Sequence, residues 1–245
     1  MTEPALPGIK GILFDLDGTL FDHRRAADAG ITAWLEDRWP GHPRLGEAAG
    51  LWAALEVPYL AMWQAGRCSV QEQRRLRLAA LCEELSVPVP GDLDAAFADF
   101  TVRYRRHWAA FPDTARTVAG LGGFALGVLT NGAQRMQEDK VRAIGLAGLV
   151  GPVLTGEVLD GHFKPSPAAY TGAAAALGLS PQEVLLVGDD VDKDVTGPAV
   201  TGMRSVWLDR LGTERAPAGF PRITSLTELA PLLHGPPDAL ARPAG

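Results

Sequence analysis

Lysine is the scarce residue of this chain. Only four of its 245 residues are lysine, at positions 10, 140, 164 and 193, against 19 arginines. A lysine set between an apolar ring and a proline, as Lys164 is in Gly161-His162-Phe163-Lys164-Pro165, therefore invites a specific reason, although a surface lysine before a helix would also account for it. Cysteine is sparser still, with two residues. Cys68 and Cys82 lie fourteen positions apart without metal-ligand spacing, and two thiols make no disulfide framework, so both are expected to be reduced, packed side chains. No apolar run approaches the ~18 residues of a membrane span, and the opening MTEPALPGIK lacks the basic start and apolar stretch of a signal peptide. A cytoplasmic protein without a membrane partner is expected. There is no basic excess either: 23 Lys and Arg against 29 Asp and Glu leave a formal charge of −6, which argues against a general nucleic-acid binder. What is present is ordinary globular material, 47% hydrophobic and 21% charged, enough to bury a core.

Five short apolar runs, at 11–14, 124–129, 152–154, 184–187 and 205–208, read as strands. From the second onward they alternate with helical patterns at 133–144, 167–177 and 192–200, the first two stopping at Gly145 and Gly178. Such alternation implies parallel pairing through right-handed crossovers, hence an α/β class with a doubly wound, Rossmann-like parallel sheet and function at the carboxyl ends of its strands. The stretch 22–109 has no convincing strand. Helical patterns at 23–38, 46–64, 70–86 and 92–108 make it an inserted all-α domain, and five of the six tryptophans fall within it. Either a small bundle uses these rings as its own core or they line a ligand site. The expected division is therefore 1–21 with 110–235 as the catalytic core, 22–109 as a helical cap, and 236–245 as a frayed tail.

Four strand ends carry chemistry. The first strand runs into Asp15-Leu16-Asp17-Gly18-Thr19; residues i and i+2 of an extended segment point the same way, so the two carboxylates can converge. Acids so close repel unless a cation intervenes, and a divalent metal is expected, although a turn after a strand explains a lone Asp-Gly equally well. The second run ends in Thr130-Asn131-Gly132 before a helix, where a hydroxyl and free N–H groups make either a phosphate cradle or an ordinary cap. Lys164 follows the third. The fourth ends in Gly188-Asp189-Asp190-Val191-Asp192-Lys193-Asp194, four acids within six residues at the mouth of a buried strand. That concentration of charge calls for Mg²⁺, while a solvated helix N-terminus accounts for Asp192 and could account for Asp190.

The joint pattern resembles the haloacid dehalogenase-like hydrolase superfamily, whose four motifs correspond to FDLDGT at 14–19, LTNG at 129–132, FKP at 163–165 and VGDDVDKD at 187–194. The insertion between the first two matches the family's helical cap in position and size. The resemblance implies Asp15 as nucleophile, forming an aspartyl-phosphate, and Asp17 as the acid that protonates the leaving oxygen and then the base that activates water. It implies Mg²⁺ on the Asp15 carboxylate, the Asp17 backbone carbonyl and Asp189, with Thr130, the amides at Asn131 and Gly132, and Lys164 on the transferring phosphoryl group. Asp194 would orient metal-bound water or Lys164 from outside the ligand shell. Asp190, where such enzymes often have a small polar residue, could take the metal position or tighten it.

A phosphomonoesterase acting on a small phosphorylated metabolite, such as a sugar phosphate or nucleotide, follows as the expected activity. A 2-haloacid dehalogenase would need neither Mg²⁺ nor a second acid at position 17. A phosphonatase would need a cap lysine, and none lies between Lys10 and Lys140. A phosphomutase keeps the full set of groups, and a receiver-like phospho-acceptor module would share an Asp, a Thr and a Lys without turnover. Specificity would rest with the cap, where His23, Arg24, Trp63 and Arg67 are candidates or else ordinary packing and surface residues. Monomer and homodimer are both compatible with the sequence.

Overall fold

Each strand of the sheet is short and stopped by a glycine or a polar residue, and the first four are apolar. In a computed structural model, which describes residues 6–212, 217 and 219–234, they are β1 (Gly11–Phe14), β2 (Ala125–Leu129), β3 (Val153–Leu154), β4 (Val184–Gly188), β5 (Arg204–Leu208) and β6 (Arg222–Ile223). The tail expected at 236–245 lies outside the described residues. All pairings are parallel, in the order β3-β2-β1-β4-β5-β6. β1 and β4 are buried at every position, as strands covered on both faces must be. The sequence anticipated five strands; β6 adds a sixth, two residues long and too brief to show a pattern.

The chain divides into two compact units, one of residues 1–21 with 110–245 and one of residues 22–109. In the first, the crossover helices are α5 (Thr114–Gly120), α6 (Gln134–Ala143) and α7 (Pro167–Ala176), with a π-helical turn at Val191–Thr196 running into the short α8 (Gly197–Ala199), and α9 (Leu229–His234) near the end. The expected helix at 192–200 is this π turn and its brief continuation. α7, PAAYTGAAAA, has small side chains that let it lie close on the sheet, where Ala169, Tyr170, Ala173 and Ala174 pack with Leu13, Leu129, Leu154, Val184 and Leu186. Removing one such leucine side chain would cost about 2–5 kcal/mol.

Register brings the ends of the central strands to one level. Phe14 pairs with Val128 on one side and Val187 on the other, so Asp15, Thr130 and Asp189, the residues just beyond, emerge within one residue of the same level. The order reverses between β1 and β4, the crevice where open α/β sheets bind ligands.

The second unit holds α1 (His23–Arg38), α2 (Ala48–Gln64), α3 (Val70–Glu84) and α4 (Leu93–Arg106). Their starts are encoded locally. Asp22 and Asp92 accept from the N–H groups of Arg25 and Ala95, and Ser69 forms a reciprocal capping box with Glu72, each cap contributing about 1 kcal/mol. Trp34 and Trp52 are fully buried; Trp34 Nε1 donates to the Ala96 carbonyl at 3.0 Å, and Trp52 packs on Phe97 and Phe100. These two tryptophans form core, while Trp39, Trp63 and Trp108 are half-buried. Cys82 is buried and Cys68 half-buried, both free. No described helix is long and apolar enough to cross a membrane.

Candidate active site

The end of β1 places Asp15 beside β4, its N–H bonded to the Val187 carbonyl at 2.9 Å. The Lys164 ammonium, wholly buried, donates to Asp15 Oδ1 at 2.8 Å and to Asp194 Oδ1 at 2.6 Å. Asp15, Asp189 and Asp194 each bring a carboxylate oxygen within 4.8 Å of the others. Three carboxylates against one ammonium leave two formal negative charges uncompensated, and the electrostatics record the imbalance. Burial, then the Asp194 and Asp189 charges, hold the Asp15 carboxyl well above the usual range despite Lys164. Burial and Asp194 push Asp189 up to about 6, although its side chain reaches solvent. For Lys164, burial disfavours the ammonium but Asp15 and Asp194 outweigh it, and the net shift is upward.

This donor set fits a small divalent cation: it is all oxygen, anionic and convergent. Gly18 makes the approach possible. Its φ of +91° is a left-handed value, and a Cβ there would lie 2.3 Å from Asp189 Oδ2, so the first loop and the fourth can meet only over a glycine. Thr19 Oγ1 adds a long contact to Asp189 Oδ1 at 3.4 Å, and Trp207 Nε1 holds the Asp189 carbonyl at 3.1 Å. Arg210, paired with Asp113, donates to the Thr19 carbonyl at 2.6 Å and fixes the loop from behind.

The two remaining acids of the fourth loop differ. Asp194 accepts from the Lys164 ammonium and also belongs to the carboxylate group itself. Asp190 does not join that group. Its Oδ1 accepts from the N–H groups of Asp192 and Lys193, its Oδ2 pairs with the Lys193 ammonium, and these bonds hold it below the usual carboxylate range against the effect of burial. It caps the π turn, and its own N–H steadies Asp194 Oδ2 at 3.2 Å. Asp192 is exposed.

At the end of β2, Asn131 acts through its side chain. Its Nδ2 donates to the Lys164 carbonyl at 2.7 Å and its Oδ1 accepts from the Lys164 N–H at 2.9 Å, pinning the third loop against the second. Thr130 is buried and its Oγ1 accepts from Gln137 Nε2 at 2.7 Å, an arrangement that keeps the hydroxyl proton for donation. Gln137 Nε2 also donates to Asp17 Oδ2 at 2.9 Å, and Lys140 Nζ reaches both oxygens of Asp17, at 2.7 and 2.8 Å. Gly132 leaves room for this: a Cβ there would lie 2.5 Å from the Gln137 side chain. Gln137 and Lys140 were not anticipated as site residues. The signals that could have found them are the scarcity of lysine and their i, i+3 spacing on α6, beside Val141 on its buried face.

In the helical unit, His23 lies in an interior network, Nδ1 to the Tyr104 hydroxyl at 2.7 Å and Nε2 to Glu56, which Arg77 also grips. Arg24 is exposed and paired with Asp28, Trp63 is half-buried and Arg67 is exposed.

A Rossmann-like parallel sheet with an aspartate after its central strand, a lysine-bound carboxylate group and a helical insertion defines a hydrolase class. The chain belongs to the haloacid dehalogenase-like hydrolases, whose family model matches residues 9–202. Over 229 residues it is 31% identical to a phosphoserine phosphatase of Thermus thermophilus, covering 82% of this chain and 89% of that one. It is also 27% identical to an (S)-2-haloacid dehalogenase of Pseudomonas sp. strain YL, covering 83% and 84%. Among solved structures, the HAD-hydrolase YfnB of Bacillus subtilis, bound to magnesium, superposes with a TM-score of 0.75 at 20% identity over 92% of this chain and 99% of that chain, a likeness of fold.

Proposed function

We propose that this protein is a Mg²⁺-dependent phosphomonoesterase acting on a small phosphorylated metabolite. The carrying observation is the pairing at the end of β1. Asp15 sits in a carboxylate group with a net negative excess, and a second aspartate, Asp17, stands two residues on with its carboxylate held by Lys140 and Gln137. Bound Mg²⁺, held by Asp15, the Asp17 carbonyl and Asp189, would neutralise charge on the phosphoryl oxygens and on the carboxylates together. The Asp15 carboxylate attacks phosphorus as the bond to the ester oxygen breaks, and Asp17 gives that oxygen its proton. Water then attacks the aspartyl-phosphate, loses a proton to Asp17 and releases phosphate, restoring Asp15. Lys164, the Thr130 hydroxyl and the backbone N–H groups at Asn131 and Gly132 hold the transferring oxygens, as preorganised donors do where charge develops. Asp194 keeps Lys164 in place and Asp190 supports the loop that carries both acids.

The activities of relatives support the substrate class. Besides the phosphoserine phosphatase, they include a ribulose-1,5-bisphosphate 5-phosphatase of Halopiger xanaduensis, 28% identical over 81% of this chain; all act on small phosphate esters. Haloacid dehalogenation is the second reading, favoured by the dehalogenase relatives. It would use Asp15 to displace halide from carbon and water to hydrolyse the resulting ester, and it gives Asp17 no leaving oxygen to protonate and Mg²⁺ no phosphoryl charge to neutralise. Phosphate release from p-nitrophenyl phosphate with Mg²⁺, abolished by chelation, together with no chloride release from 2-chloropropionate, is the expected result; the opposite pattern would replace this reading with the second. A single labelling without turnover would indicate a receiver-like module, and phosphoryl transfer to a sugar in place of water a mutase.

A further inference from the structure

Helix α6 carries two polar side chains on its buried face. Gln137 is 1% exposed and Lys140 3%, and burying an amide and an ammonium there is costly unless each is fully engaged. Both are engaged by one partner. Lys140 Nζ spans the two oxygens of Asp17, lying also over the Phe21 ring at 5.0 Å from its centre, while the two N–H groups of the Gln137 amide are divided between Asp17 Oδ2 and Thr130 Oγ1. The aspartate thus receives three hydrogen bonds from one helix face, and the same face sets the direction of the Thr130 hydroxyl. Lys164 serves Asp15 and Asp194. Two of the four lysines of the chain are therefore buried, one against each aspartate of the first loop.

We infer that Lys140 and Gln137 are positioning residues for proton transfer by Asp17, with Gln137 coupling that carboxylate to the phosphate-holding hydroxyl of Thr130. The inference rests on the phosphomonoesterase reading and deepens it. A carboxylate on a single χ2 rotor sweeps its lone pairs through a wide arc, and a base contributes its rate factor only while a lone pair faces the water it must deprotonate. The ammonium across both oxygens and the amide on one of them fix that rotation. Their removal falls on the step that needs Asp17 most. With p-nitrophenyl phosphate the leaving phenolate departs without a proton, so phosphorylation of Asp15 proceeds with little help from Asp17, whereas hydrolysis of the aspartyl-phosphate still requires water to be deprotonated.

The test is rapid-mixing kinetics of the full chain with Mg²⁺ and p-nitrophenyl phosphate. Lys140→Met should give a burst of nitrophenolate approaching one per protein, at a rate within about threefold of the first turnover of the unaltered chain, followed by a steady rate lower by about ten- to a hundredfold, with phosphorylated protein accumulating. Lys140→Arg, which keeps the charge and a donor fork, should restore part of the steady rate, and Gln137→Ala should show the same split more weakly. Equal slowing of burst and steady state in folded Lys140→Met, or an unaltered steady rate, would overturn the inference. Should Lys140→Met fail to fold, Gln137→Ala and Lys140→Arg decide by the same split. Failure of the underlying reading looks different: the unaltered chain itself would turn over no phosphate ester.

Discussion

Each unit of this chain buries a cation, and the two solve the problem with different residues. In the helical unit Arg77 lies 3.7 Å over the Trp52 ring, donates to the Trp52 carbonyl at 3.0 Å and pairs with Glu56 at 2.7 Å, with His23 on the other side of that carboxylate. One acid meets one arginine, and the flat guanidinium doubles as packing. In the sheet unit Lys164 donates to two of three clustered carboxylates and Lys140 grips a fourth. An ammonium is a compact point charge with three donors that can converge on separate acids, while a guanidinium stacks and forks. Arginine serves this chain for structure. Two of its four lysines are buried against the aspartates of the first loop.

Exchanging the two cations breaks the comparison most severely at the strand ends. Lys164→Arg keeps the charge but cannot reach Asp15 and Asp194 from the same buried point, and phosphate release should fall by about 10²–10³-fold with the fold intact by circular dichroism. Near-normal turnover would show that charge alone suffices there. The reverse exchange, Arg77→Lys, loses the stacking on Trp52 and part of the fork; it should destabilise the protein by about 2 kcal/mol in thermal or urea unfolding. A neutral result would mean that the helical unit uses Arg77 as a bare charge.

The charge excess of the sheet unit sharpens the contrast through pH. Asp189 titrates at about 6 in the folded chain against an ordinary 3.8, and Asp15 is also raised. The native state therefore binds protons more tightly than the unfolded one. That contribution is full below about pH 4 and is lost as pH rises through about 6. Without Mg²⁺ the melting temperature should decline over that window, and Mg²⁺ should restore it, with little effect near pH 4–5 and a shift of several degrees near pH 7.5. An equal Mg²⁺ shift at both pH values would dissociate the carboxylates from the metal. The smallest effect concerns Cys82, whose thiol burial pushes up to about 11. In the folded protein its alkylation should lag well behind that of half-buried Cys68, as followed by mass spectrometry; equal rates would contradict a closed helical core.

Strand ends were legible in the sequence because two signals coincide there: an apolar run stops, and residues with little other use in that place begin. Asp15, Thr130 and Asp189 all sit at such junctions, whereas Lys164, in the loop between β3 and α7, stood out through the scarcity of lysine. Gln137 and Lys140 sit in mid-helix, where polar residues are usual and only the three-dimensional face reveals that these two are buried. Asp190 reads like its neighbours in a run of acids, and only hydrogen bonds separate a cap from the carboxylate group beside it. β6 was missed because two residues carry no period, and the π turn because no pattern of apolar spacing distinguishes it from a regular helix start.

The account turns on Asp15 becoming the phosphoryl carrier. The direct measurement is the mass of the protein quenched in acid during turnover of p-nitrophenyl phosphate with Mg²⁺, followed by mapping of the modified peptide. One added phosphoryl group on the peptide containing Asp15, absent from Asp15→Asn and after chelation of the metal, is the predicted result. Turnover with no added mass on that peptide in Lys140→Met and the unaltered chain alike, or the same addition in Asp15→Asn, would contradict it.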